Sequence, residues 1–120
     1  MKNTNTKEFK DALKAYLMVA IESKAEDYAV DLEGVNPFAW VVSIAKSEIP
    51  HEFERRGAQG GLEYWLSGLG LGIAYTYADI IAVSEMLHDC KLSEKEQDLV
   101  CDRWFRFLAA KILQFANDGK

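Results

Sequence analysis

The sequence predicts an all-α fold: a single helical domain over residues 1–120, a bundle of five or six helices with a glycine-rich connection in the middle. Three observations predict it. Apolar residues recur with the helical period of 3.6, good N-cap residues stand just before the periodic stretches, and no segment alternates apolar and polar residues over strand length. With 49% apolar and 28% charged residues, the chain has the composition of an ordinary globular domain. At 120 residues it buries roughly two thirds of its unfolded surface, so stability requires no metal or cofactor. Repeats, low-complexity tracts and Pro- or Ser-rich linkers are absent, which leaves no internal domain boundary.

The first helix carries Phe9, Ala12, Leu13, Tyr16, Leu17, Ala20 and Ile21 on one stripe. Asn5 is its predicted cap, with Glu8 returning the bond, and the stripe extends through Ala25, Tyr28, Ala29 and Leu32 until Gly34 stops it. This is one long helix or two shorter ones. Asn36 caps the second helix and Pro37 takes the first helical position, where its missing N–H is harmless. Phe38, Val41, Val42 and Ala45 face inward there. Pro50 disfavours helical geometry at Ile49 and begins a short third helix ending at Gly57, after which Gln59, Gly60 and Gly61 read as a hinge-like loop.

A short amphipathic turn over residues 62–67 leads into Gly68-Leu69-Gly70-Leu71-Gly72, where alternating glycines break regular helix and a few extended residues fit before Tyr75. Thr76 with Asp79 starts a helix bearing Tyr77, Ile80, Ile81, Ser84 and Leu87 and ending near Cys90. Ser93-x-x-Glu96 is the strongest capping box in the chain. It opens a last helix with a broad stripe of Cys101, Trp104, Phe105, Leu108, Ile112 and Phe115, ended by the polar residues from Asn117 to Gly119.

Fourteen basic against nineteen acidic residues give a net charge of −5. That balance argues against direct nucleic-acid binding and against an anionic membrane, since phosphate contacts need clustered cations. Glu22, Glu26, Asp27, Asp31 and Glu33 are opposed only by Lys24, a surplus that forms either a solvated helix face or an acidic docking surface. The longest uncharged stretch, residues 64–78, contains three glycines and falls short of the about 20 apolar residues that span a bilayer. Two cysteines without a Cys-x-x-Cys motif or a secretory leader fit a reducing cytoplasm.

Chemical motifs fail in identifiable ways. The glycine run lacks the third glycine of a dinucleotide fingerprint, and no Gly-Lys-Ser or Gly-Lys-Thr is present. His51-Glu52-Phe53-Glu54-Arg55 resembles the opening of a zincin helix, but Arg55 occupies the second histidine's place and a cation there repels metal. His88 and Cys90 are helix near-neighbours that do not face each other, and pairing of Cys90 with His51 or of Cys101 with His88 is left open. Catalytic and metal-ligating residues are therefore assigned to none. Tyr64, Trp65, Tyr75 and Tyr77 flank the glycine connection, and Tyr and Trp beside irregular backbone are typical interface anchors. Together with Glu22, Glu26, Asp27 and Asp31 they form the predicted binding surface.

Residues 62–114 include Glu63-Tyr64-Trp65-Leu66-Ser67-Gly68-Leu69, Tyr75-Thr76-Tyr77-Ala78-Asp79-Ile80-Ile81 and Arg103-Trp104-Phe105-Arg106-Phe107-Leu108. This stretch, somewhat under half the chain, resembles uncharacterised small helical accessory proteins of bacteriophages and mobile elements. The resemblance is one of pattern and transfers no residue roles. It implies a protein that binds and inhibits host machinery, including nucleic-acid-targeting defence complexes. The expected function is thus a non-enzymatic protein-binding module docking on a host protein or complex. A structural homo-oligomer is the alternative, and a small cysteine-dependent enzyme ranks below it.

Overall fold

A computed structural model describes residues 6–68, 70–73 and 76–118. They form five helices and no strand: α1 (Lys7–Asp27), α2 (Pro37–Glu48), α3 (Pro50–Ser67), α4 (Tyr77–His88) and α5 (Glu94–Asp118). Asn5 lies outside the described residues, and the cap of α1 is Thr6, whose hydroxyl accepts from Phe9 N at 3.2 Å. Asn36, Thr76 and the Ser93/Glu96 box perform as their sequence positions predict.

α5 is the central helix, with Trp104, Leu108, Ile112 and Phe115 buried against α2, α3 and α4. α1 lies along α4 and α2 and reaches α5 through aromatic rings, Tyr16 against Trp104 at 6.4 Å and Phe9 against Phe107 at 6.2 Å. Among the described residues no Cα of α1 lies within 8 Å of a Cα of α5. Asn36 ties the start of α2 to the end of α5. Its Oδ1 accepts from Phe38 N and Ala39 N at 2.9 and 3.2 Å, while its Nδ2 donates to the carbonyls of Phe115 and Ala116 at 3.2 and 3.0 Å.

Three elements differ from expectation. α1 stops at Asp27 instead of running on through Leu32. Ala29 adopts a left-handed conformation, φ 55°, and donates to Glu26 O while Val30 N donates to Ala25 O, the paired bonds of a Schellman ending. Asp31 therefore leaves the helix, and its carboxylate accepts from Glu33 N at 2.9 Å. Because a Cβ in the left-handed region costs about 1–2 kcal/mol, Ala29→Gly is expected to stabilise the fold by about 0.5–1 kcal/mol after the extra entropy of glycine in the unfolded chain. The thermal midpoint should rise by a few degrees. An unchanged or lower midpoint contradicts the strained ending.

The second difference is in α3: the helix breaks at Gly57, φ 80° and ψ 176°, where the sequence predicts its end, but helix resumes directly beyond. Gln59, Gly60 and Gly61 are helical, not a hinge. Gly61 is needed there for room, since a Cβ would stand 2.7 Å from the ring of Phe53, itself buried. Helix propensity alone disfavours two adjacent glycines, and side-chain packing overrides it. The third difference concerns Trp65, treated below.

Candidate docking groove

α1 and α4 run antiparallel, so the start of α1 meets the end of α4, as the 5.0 Å approach of Phe9 and His88 shows. Between their opposite ends lies a groove of about 710 Å³. Val19, Ser23 and Asp27 line it from α1, Asp79 and Ala82 from α4, and residues 70–73 of the glycine-rich connection close its end. The same seam continues to a second hollow beside Ala12 and Met86, with Glu8 and Asp89 at its border. Val19 is 73% exposed and Met86 63%, so large apolar side chains stand in water along this seam. The groove thus has an apolar middle and carboxylates at both ends.

Lys24, which also lines the groove, is engaged by neighbours outside it. Its Nζ lies 4.0 Å from Glu48 Oε1 and 5.1 Å from the ring centres of both Tyr28 and Trp65. Glu48 also accepts from Tyr28 OH at 2.7 Å and from Trp65 Nε1 at 2.8 Å. The Tyr28 hydroxyl, then the Trp65 N–H and the Lys24 charge, hold the Glu48 carboxyl below the usual carboxylate range against the opposing pull of desolvation. The same bond pushes the Tyr28 phenol up. A lowered carboxylate stabilises the fold above its ordinary pKa, and that contribution is lost as pH falls through the lowered value. One carboxylate therefore joins α1, α2 and α3 and keeps Lys24 from neutralising the groove.

The predicted binding residues divide among three places. Glu22, Glu26 and Asp27 are exposed on the last turns of α1, and Asp31 is exposed in the turn beyond; of these, Asp27 lines the groove. Tyr64 and Tyr77 are exposed but belong to the α5 side: Tyr64 lines a hollow with Asp102 and Arg106 of α5, and Tyr77 OH donates to Asp98 at 3.2 Å. Tyr75 lies outside the described residues. Trp65 is corrected from surface anchor to core residue. It is 6% exposed, its N–H is taken by Glu48, and Gly70 sits directly on its indole. Val19, Ala82 and Met86 were missed by the sequence reading. Their signal is that Val19 and Met86 are large apolar residues lying off the inward stripes of their helices.

Among the described residues, Cys101 and His88 each meet a backbone carbonyl. Both cysteines are unbridged. The Cys101 thiol approaches the Tyr77 carbonyl at 4.0 Å, and burial, then Asp102 and Asp98, push its pKa up, which disfavours the nucleophilic thiolate. His88 Nδ1 meets the Ser84 carbonyl at 2.9 Å and Nε2 meets no thiol. Among the described residues no group of three or more His, Cys, Asp or Glu is arranged to hold a metal, and no helix is long and apolar enough to cross a membrane. Compared with known proteins, the chain matches no family model, no curated protein and no solved structure.

Proposed function

We propose that this protein is a non-enzymatic binding module that receives a cationic, partly apolar segment of a partner protein along the α1/α4 groove. The observation that carries the reading is the exposure of Val19 and Met86 in a seam whose ends hold Asp27, Asp79 and Glu8. Exposed apolar surface rimmed by charge is the pattern of a docking site, and an amphipathic helix laid in a groove meets both features at once. Acidic ends would speed encounter with a basic partner and make it salt-sensitive.

The test uses two synthetic helical peptides of equal positive charge, one with its leucines on a single face and one with them scrambled. The faced peptide is expected to bind at least about tenfold tighter, a gap of about 1.4 kcal/mol. Val19→Asp should remove that advantage while leaving helical circular dichroism intact. Equal affinities for both peptides would refute the groove.

A narrower form of the proposal makes the partner a host nucleic-acid-targeting defence complex and the protein its phage-type inhibitor. The net charge of −5 and the carboxylates at the groove ends support it, because they complement a basic nucleic-acid channel. Such an inhibitor would displace nucleic acid from the complex, and nucleic acid still bound at saturating protein would reject this form alone.

A further inference from the structure

On the other side of α4, where it packs on α5, lies a separate cleft of about 190 Å³. Leu87, Val100, Trp104 and Phe107 give it apolar walls, and Leu99 and Arg103 stand exposed at its rim. Two polar residues interrupt the walls. Ser84 and His88, one helical turn apart on α4, are 1% and 6% exposed, and among the described residues neither Ser84 Oγ nor His88 Nε2 has a hydrogen-bond partner. Buried polar atoms are satisfied in the great majority of cases, and an orphan calls for a specific cause.

The direction of the histidine bond defines what is missing. Nδ1 faces the carbonyl oxygen of Ser84, which only accepts, so Nδ1 carries the proton. In the neutral ring Nε2 is then a bare acceptor. Phe9 packs against this imidazole at 5.0 Å and restrains its tilt. Ser84 Oγ, on a side chain with one rotatable bond, can turn toward the same space and either give or take a proton. The cleft therefore offers apolar walls, an aromatic lining and, in His88 Nε2, an acceptor that no donor among the described residues meets.

We propose that the α4/α5 cleft is a binding site for a small neutral molecule consisting of one aromatic ring bearing a single O–H or N–H donor, the phenol class. The size fits, since an apolar protein cavity of about 150 Å³ accommodates benzene. The donor would reach His88 Nε2, with Ser84 Oγ as second partner, and the ring would lie against Trp104 and Phe107. This site shares only Leu87 with the second hollow of the α1/α4 seam and no residue with the main groove, and neither Val19 nor Met86 lines it, so either stands without the other.

The probe is phenol, with toluene as a control of nearly the same shape that lacks the donor. Binding is followed by the imidazole ¹⁵N resonances. The chain holds only His51 and His88, and His51 is exposed on α3, so the two are readily told apart. Phenol is expected to bind at least about tenfold tighter than toluene, the factor associated with satisfying a buried orphan acceptor. It should shift the His88 Nε2 resonance and leave that of His51 in place. Ser84→Ala, a small change that preserves the helix, should narrow the phenol advantage, and His88→Phe should abolish it. Toluene binding as tightly as phenol, or phenol binding with the His88 resonance unmoved, would overturn the proposal. So would wild-type protein that binds neither, the result expected if water alone meets these atoms.

Discussion

Asn36→Ala is expected to lower the stability of the fold by about 2–4 kcal/mol, an unusually large effect for a partly exposed polar residue. The figure has two sources. Loss of an N-cap costs about 0.5–2 kcal/mol, and each of the two bonds from Nδ2 to the Phe115 and Ala116 carbonyls contributes about 0.5–1.5 kcal/mol. Those carbonyls are among the last four of α5, which no helical N–H can satisfy. The urea midpoint should fall with little change in slope. Asn36→Ser separates the sources, because serine keeps the cap oxygen and lacks the amide donors. It should recover only the capping share, and full recovery would show that the bridge to α5 contributes nothing.

The second large effect is expected at Gly70. A Cβ there would overlap the Trp65 indole, and that ring cannot retreat without losing the 2.8 Å bond to Glu48 and its contact with Lys24. Overpacking of this kind costs about 1–3 kcal/mol, and a broken indole bond adds to it. Gly70→Ala should therefore destabilise by about 2–4 kcal/mol and displace the Trp65 indole N–H resonance. In a Trp65→Leu background, where the space is free, the same substitution should have a much smaller effect. An equal effect in both backgrounds would mean that Gly70 serves some need other than contact with the ring.

These two sites also mark the limit of what the sequence discloses. The cap on α2 was legible because Asn36-Pro37 is a local signal, and the α5 stripe because its period repeats over 25 residues. The amide bonds of the same Asn36 were not, since their partners lie 79 and 80 residues away. Helix through Gly60 and Gly61 was hidden because Phe53 determines it by packing. The end of α1 was misjudged because alanine seldom takes the left-handed position that Ala29 occupies. For the groove, the acidic surplus around Asp27 was visible and the seam was not: antiparallel apposition of α1 and α4 is a product of the whole bundle. Trp65 shows the converse, a residue whose neighbours in sequence suggested a surface and whose partner, Glu48, lies 17 residues earlier.

The standoff between α1 and α5 bears on how such a slot is dimensioned. The two helices are separated by rings, with Phe9 and Tyr16 serving as spacers against Phe107 and Trp104. The aperture between α1 and α4 is thus gauged from behind, by the thickness of side chains turned toward the interior. Its tolerance for one guest over another is set by the bundle's internal fittings as much as by the atoms a guest would meet.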